Sequence, residues 1–452
     1  MNLMNTPTSP SVSLLLSEAL QKATQTRRLE IGKNALRETA NILFSEHSRQ
    51  PAILVADETT MKIAGEKVRS SLGQNGIRVS TGIIFPADGL YAEYGFVEKL
   101  EDVFKHTPGI PIAIGSGTIN DLTKLAAHKA GREYMCVATA ASMDGYTAFG
   151  ASITRKGSKQ TFMCPAPFAV VADMDVIPAA PQPLTASGYA DLLAKVTSGA
   201  DWMLADALGI EAIDPVAWRL VQDTLPSALS RPEAVRNGNA DAIQRLTEGL
   251  LMSGFAMQYI QSSRAASGAE HQFSHLWDMQ HHTHDGKAPS HGFKVGVATV
   301  ASGALYDYIL RQPLDDLNID ELVARAKSPG DIGTEIINAF ADVDMAEKAV
   351  EESRAKLPDR GQLRERLALA RRQWPALSGR LRRQLGVAGD IATQLELAGA
   401  PCRPEQIGIS RERLRASFKM ACYIRRRYTI LDFATETGLL DGALDHMFGN
   451  TS

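Results

Sequence analysis

Cysteine is scarce in this chain: 452 residues carry four, Cys136, Cys164, Cys402 and Cys422, far apart and with no CxxC pair. That spacing excludes a disulfide scaffold and leaves reduced core thiols as the expected state. Long apolar runs are missing too, because no stretch approaches the roughly 18 residues of a membrane span. The N-terminal MNLMNTPTSPSVSLLL has no basic region ahead of its brief apolar run, so the expectation is a cytoplasmic protein with a loose leader rather than a signal peptide. Charge of one sign is absent as well. A formal net charge of -3 provides no general attraction to nucleic acid or anionic membrane, and a small molecule is the expected partner. The GxGxxG dinucleotide fingerprint is also not met.

What is present divides the chain in two. Its length exceeds what one hydrophobic core usually organises. Short β-branched apolar runs, AILVAD (52–57), IRVSTGIIF (77–85), IPIAIGSG (110–117), YMCVATA (134–140) and FAVVADMDV (168–176), alternate with helical patterns. This alternation predicts an α/β Rossmann-like domain with a mainly parallel sheet over residues 1–180. The proline-rich joint Pro178 to Pro183 marks the expected boundary, and an all-α domain over 181–452 follows. Helices are predicted over 184–207, 240–263, 266–279, 292–311 and 319–327. The arginine-rich segment 360–383, with Leu363, Leu367 and Leu369, predicts an amphipathic helix with a solvated basic face.

Segment IPIAIGSGTINDLTKLAA places Gly115, Ser116 and Gly117 where a strand should end and a helix begin. Glycines there let the backbone approach a pyrophosphate, and the helix N-terminus adds free N–H groups; a plain turn would also explain them. Asp57, at the end of AILVAD, is placed to accept hydrogen bonds from an adenosine ribose and to disfavour a 2′-phosphate. Its alternative is a turn-starting aspartate before Glu58-Thr59-Thr60.

Histidine is concentrated. Six of the ten lie between His271 and His291, in GAEHQFSH, HHTHDGKAPS and SHGFKVGVAT. Neutral imidazole is the commonest protein ligand for a transition metal, and two histidines with one distant carboxylate leave positions open to substrate. His271 and His275 stand one helical turn apart. His281, His282 and His284 fall in a polar, glycine-containing loop stretch and are expected to be solvent-exposed or lid residues. In SGYADLLAKV, Ser187, Asp191 and Lys195 share one helix face, so Asp191 is either a surface carboxylate paired with Lys195 or an inward-facing ligand.

Taken in order, GSGTIND, TAASMDGYTAFGA, GYADLLAK, GAEHQFSH and SHGFKVGVA resemble the glycerol-1-phosphate dehydrogenases of the iron-containing alcohol dehydrogenase and dehydroquinate synthase-like superfamily, over about Asp57 to Thr299. The resemblance implies a divalent metal, zinc or nickel with iron as a further option, on Asp191, His271 and His291. It implies NAD(H), with NADP(H) as the alternative, at Gly115, Ser116, Gly117, Thr118 and Ile119 and at Thr139, Ala140, Ala141 and Ser142. It also implies substrate contacts at Asp144, Asp191, Lys195 and His275, with His275 and Asp144 catalytic. Ala148 stands at a cofactor-contact position where family members often carry serine, which removes one hydroxyl contact. Lys195, Arg155, Lys156 and Lys159 are candidates for the substrate phosphate, and Lys159 alternatively for the cofactor pyrophosphate. The implied reaction is reversible reduction of dihydroxyacetone phosphate to sn-glycerol 1-phosphate by a homo-oligomer, a dimer being favoured. The alternatives are a polyol (glycerol) dehydrogenase, a dehydroquinate-synthase-like lyase and a non-catalytic metal or nucleotide sensor.

Overall fold

The computed structural model describes residues 12–155, 158–341 and 343–449; the expected leader, up to residue 11, and Lys156 lie outside them. Two compact units emerge. One comprises Met1–Arg155, Gln160–Gly188 and Pro215–Ser262; the other comprises Lys156–Lys159, Tyr189–Asp214 and Ser263–Ser452. The division differs from the one at 180/181 expected from composition, since residues 215–262 group with the sheet rather than with the later helices.

The described residues form eight strands: β1 (Arg28–Gly32), β2 (Ala52–Asp57), β3 (Val79–Phe85), β4 (Ile110–Gly115), β5 (Met135–Ala138), β6 (Ala151–Arg155), β7 (Ser158–Phe162) and β8 (Ala169–Asp173). Six form one parallel sheet in the order β1-β8-β5-β4-β2-β3, while β6 and β7 pair separately. Ile53, Leu54, Val55, Ile112, Ile114, Val170 and Val171 are fully buried. Burial on both faces is why these strands read as continuous apolar runs instead of alternating ones. From β2 the chain moves outward to β3, then returns to β4 and continues through β5 toward β8. The direction therefore reverses between β2 and β4, and the carboxyl ends of strands at such a reversal are where open α/β sheets bind ligands. Asp57 and Gly115 sit at this edge, because Ala56 pairs with Ile114 and Gly115 with Ala138.

Helices that carry or brace functional residues are α1 (Gly117–Lys129), α2 (Gln182–Leu193), α3 (Lys195–Ala207), α4 (Ala240–Ile260), α5 (Ala269–Met279), α6 (His291–Ile309), α7 (Arg360–Leu385), α8 (Arg411–Tyr423) and α9 (Ile430–Glu436). Their ends follow local chemistry. Asn239 Oδ1 accepts from Ala242 N–H to start α4, Ser290 Oγ from Phe293 N–H to start α6, and Asp359 with Gln362 closes a capping box at α7. In the second unit α5 packs against α6 and α8, and α3 against α7. Leu363, Leu367, Ala370, Trp374, Leu377 and Leu381 form the buried stripe of α7, with its arginines outside it. Helix α3 is buried on all sides, so an apolar stripe could not have been read from it.

Candidate metal centre and nucleotide cradle

The second unit gathers Asp191 from α2, His271 from α5 and His291 from the first position of α6; one ligand atom from each lies within 4.8 Å of the others. Nε2 of His271 stands 3.6 Å from Asp191 Oδ1, and the His271 and His291 rings are 5.3 Å apart. Two ligand atoms at roughly 2.1 Å from one tetrahedral ion are separated by roughly 3.4 Å, so this oxygen and nitrogen fit a shared metal. His275, one turn along α5, has its ring 6.4 Å from both of the others.

Asp191 is fully buried, and an uncompensated buried carboxylate costs several kcal/mol, roughly. Desolvation pushes its acidity down, but the Lys195 ammonium, 2.8 Å away, and the two imidazoles outweigh burial and hold it well below the usual carboxylate range. Asp191 pairs with Lys195, and it does so in the interior rather than at the surface. The same fact corrects the assignment of Lys195 to the substrate phosphate, because its ammonium is sealed from solvent and committed to Asp191.

Burial lowers the basicity of His271, and the carboxylates flanking its ring more than restore it. Glu270 Oε1 lies 2.8 Å from His271 Nδ1 and accepts the Gly268 N–H at 2.6 Å, while Glu270 Oε2 takes the Thr197 hydroxyl at 2.9 Å. An oxygen arranged as an acceptor requires the hydrogen on Nδ1, which leaves the Nε2 lone pair facing Asp191. Asp201, buried beneath, accepts from Ala269 N–H, Ile430 N–H and the Tyr306 hydroxyl. A Cβ on Gly268 would meet Asp201 Oδ2 at 2.4 Å, so the phrase GAEH needs its glycine for this close approach. Burial, first, pushes His291 down to about 3, and so keeps it neutral and able to ligate at neutral pH.

The cradle in the first unit is made chiefly of backbone. Ser116 precedes α1 without capping it through its side chain, so its first-turn N–H groups receive no side-chain partner from that residue. A Cβ on Gly115 would stand 2.6 Å from Ile119 Cβ; glycine is what lets the strand turn into the helix here. Asn120, where the dinucleotide fingerprint has its third glycine, is buried and accepts the Tyr134 hydroxyl. Fully buried Lys124 donates to the carbonyls of Gly145, Ala148 and Gly150, which fixes the loop that carries Asp144. Thr139 N–H bonds Gly115 O, and Ala140, Ala141, Ser142 and Ala148 are buried in the same loop. Asp144 Oδ2 accepts from the buried Ser253 hydroxyl of α4 at 2.8 Å. Asp57 Oδ1 accepts the N–H groups of Thr59 and Thr60, so the turn-starting alternative is present in the fold.

Two other expectations are revised. His282 is buried, not solvent-facing: Nε2 meets Ile407 O at 2.6 Å and Nδ1 meets Arg413 Nη1 at 2.8 Å. Arg155 stacks on the Tyr94 ring, 4.3 Å from its centre, instead of presenting a free cation. Lys159 lies 3.5 Å from Asp278 Oδ2. Residues that sequence reasoning missed include Glu270, whose signal was an acid adjoining a ligand histidine, and Lys294 and Asp278, three positions from His291 and His275 on their helices. Ser253, Asp201 and Arg425 carried no comparable signal.

A family profile of iron-containing alcohol dehydrogenases matches residues 30–181. The glycerol-1-phosphate dehydrogenase [NAD(P)+] of Bacillus licheniformis is 30% identical over 424 residues, 92% of this chain and 90% of the relative. That of Halalkalibacterium halodurans is 36% identical over 290 residues, 64% of this chain and 72% of the relative. The chain belongs to the glycerol-1-phosphate dehydrogenase family. Glycerol dehydrogenase from Schizosaccharomyces pombe shares the fold at a TM-score of 0.58 and 18% identity, covering 95% of this chain and 93% of that one. The α/β half and helical half of this glycerol-1-phosphate dehydrogenase family member are therefore those of a known architecture.

Proposed function

We propose that the protein is a metal-dependent NAD(P) oxidoreductase that interconverts dihydroxyacetone phosphate and sn-glycerol 1-phosphate. The observation that carries this reading is the cluster of buried Asp191 and His271 with half-buried His291, in a chain whose relatives are named for that dehydrogenase. A divalent cation bound there supplies a Lewis acid for the substrate oxygens, and a bound nicotinamide supplies or takes the hydride. One carboxylate oxygen and two imidazole nitrogens suit zinc or nickel, with iron also accommodated.

Asp191, His271 and His291 hold the cation, and Glu270 keeps His271 in the ligating tautomer. The first turn of α1, from Gly117 to Ile119, meets the cofactor pyrophosphate with backbone N–H groups, and Thr139 to Ser142 line the same loop. Asp57 keeps one oxygen beyond its capping bonds for a ribose hydroxyl, which favours NAD over NADP. Asp57→Gly should improve use of NADP relative to NAD, and an unchanged preference would remove that role. Burial and, among the charges, first the Arg425 guanidinium hold the His275 imidazole well below its ordinary range. In the oxidative direction this neutral ring accepts the substrate hydroxyl proton, and in reduction it returns it. Asp144, anchored by Ser253, orients a substrate hydroxyl.

The test is NADH oxidation by metal-reconstituted enzyme with dihydroxyacetone phosphate and, separately, dihydroxyacetone. Turnover that depends on the phosphate supports the proposal. Turnover of free dihydroxyacetone or glycerol alone would make it a polyol dehydrogenase, and turnover of neither would favour a sensor.

A further inference from the structure

The segment that follows α8 contains three consecutive arginines. Arg426 donates to Glu352 through its backbone N–H, Nε and Nη2, and Arg427 donates to the Ser267 carbonyl and hydroxyl and to Ser263 Oγ. Arg425, half-buried and directly before them in sequence, makes no hydrogen bond or salt bridge among the described residues, and Glu352 is the carboxylate whose charge acts on it. Its segment is fastened to α5 one residue beyond His271, because Gln272 Nε2 donates to the Arg427 carbonyl at 3.1 Å. Of the charges that act on His275, that of Arg425 is the strongest, and Lys159 acts on the same ring.

A second group of charges adjoins this ring. Buried Lys294 pairs with Asp278, three positions beyond His275 on α5, and Lys159 lies 3.5 Å from the other oxygen of that carboxylate. That oxygen has no hydrogen-bond partner among the described residues, so Lys159 is held by charge and keeps N–H donors for another acceptor. Lys294 is committed to Asp278, which leaves Arg425 and Lys159 as the arginine and lysine charges that act on His275. A phosphate monoester carries close to two negative charges at neutral pH, and an arginine with an unused planar fork is the side chain best shaped to receive it.

We propose that Arg425 and Lys159 bind the phosphate of the substrate, and that Arg425 sets the preference for a phosphorylated over an unphosphorylated ketone. The inference rests on the reaction proposed above and deepens it by assigning the anion site. The shared chemistry is a phosphate anion, which the ketone's phosphate, free phosphate and the cofactor pyrophosphate could each offer.

The experiment is steady-state NADH oxidation by the full-length, metal-loaded chain, wild type against Arg425→Gln and Arg425→Lys. It varies dihydroxyacetone phosphate and NADH separately, with inorganic phosphate as inhibitor. In Arg425→Gln the KM for dihydroxyacetone phosphate should rise by about tenfold to a hundredfold, the loss expected for one charge-assisted contact, and its advantage over dihydroxyacetone should fall by a similar factor. The KM for NADH should stay put, and Arg425→Lys should recover part of the loss. Inorganic phosphate should compete with the ketone in the wild type and weaken as an inhibitor in Arg425→Gln. An unchanged KM and unchanged phosphate inhibition, or a loss that falls on NADH, would overturn the proposal. Should Arg425→Gln not fold, Lys159→Gln carries the same expectation, and wild-type inhibition by phosphate that competes with NADH instead of the ketone contradicts it. If the wild type fails to reduce dihydroxyacetone phosphate, yet phosphate raises its Tm and not that of Arg425→Gln, the reaction is wrong and the anion site stands.

Discussion

The candidate nucleotide cradle and the candidate metal centre pose opposite problems. The cradle around Gly115 to Ile119 and Thr139 to Ser142 presents backbone N–H groups and small side chains, and its strongest braces, Lys124 and Asn120, act on carbonyls and hydroxyls behind it. The candidate metal centre presents a carboxylate that burial alone would neutralise and an imidazole whose tautomer must be set, so each needs its own partner: Lys195 for Asp191 and Glu270 for His271. A site made of backbone depends on the absence of side chains at a few positions. A site made of buried charges depends on partners that never touch the ligand.

That contrast can be broken first at the ligands. Asp191→Asn or His271→Ala should lose the bound metal and essentially all turnover, while NADH binding, measured by fluorescence titration, persists because the cradle is untouched. Loss of both together would mean that the two sites are not separable. Next comes Glu270→Gln, which should weaken metal affinity by about 10- to 100-fold, read by cobalt titration against a chelator, with the fold kept by circular dichroism. Retained affinity would show that the orienting carboxylate is dispensable. On the other side, Gly115→Ala forces a Cβ against Ile119. It should weaken NADH binding by about tenfold, the equivalent of roughly 1.4 kcal/mol, and leave metal affinity alone.

The smallest effect concerns a histidine outside both sites. His282 donates from Nε2 to Ile407 O and accepts from Arg413 at Nδ1, an arrangement only the neutral ring can make. Burial, first, and then the Arg413 charge lower its basicity below 6.5. A base whose folded pKa is depressed contributes stability that is full above its unfolded value and lost as pH falls below it. Tm should therefore decline below about pH 6.5, less so in His282→Gln, with metal content unchanged. Equal pH dependence in both proteins would refute this account.

These differences also explain what could be read from the sequence. Strands β2 and β4 end where their apolar runs end, and the GSG turn is local, so the α/β half and its cradle were legible. His271, His275 and His291 were legible because histidine is scarce elsewhere. Glu270 shared a phrase with a ligand but had no partner that spacing could name, since Thr197 is 73 residues upstream. His282 misled because a polar stretch looks exposed until Arg413, 131 residues later, closes over it. Nothing in the sequence singles out Arg425, which only the partners of Arg426 and Arg427 set apart. The grouping of residues 215–262 with the sheet was equally invisible, because helical periodicity does not say which core a helix joins.

The central claim is that a divalent metal on Asp191, His271 and His291 is required for reduction of dihydroxyacetone phosphate. The most direct measurement is NADH oxidation with that substrate after exhaustive chelation, followed by titration with zinc or nickel. Activity should vanish on chelation and return at one metal per chain in the wild type but not in Asp191→Asn. Full activity in the chelated enzyme would contradict the account.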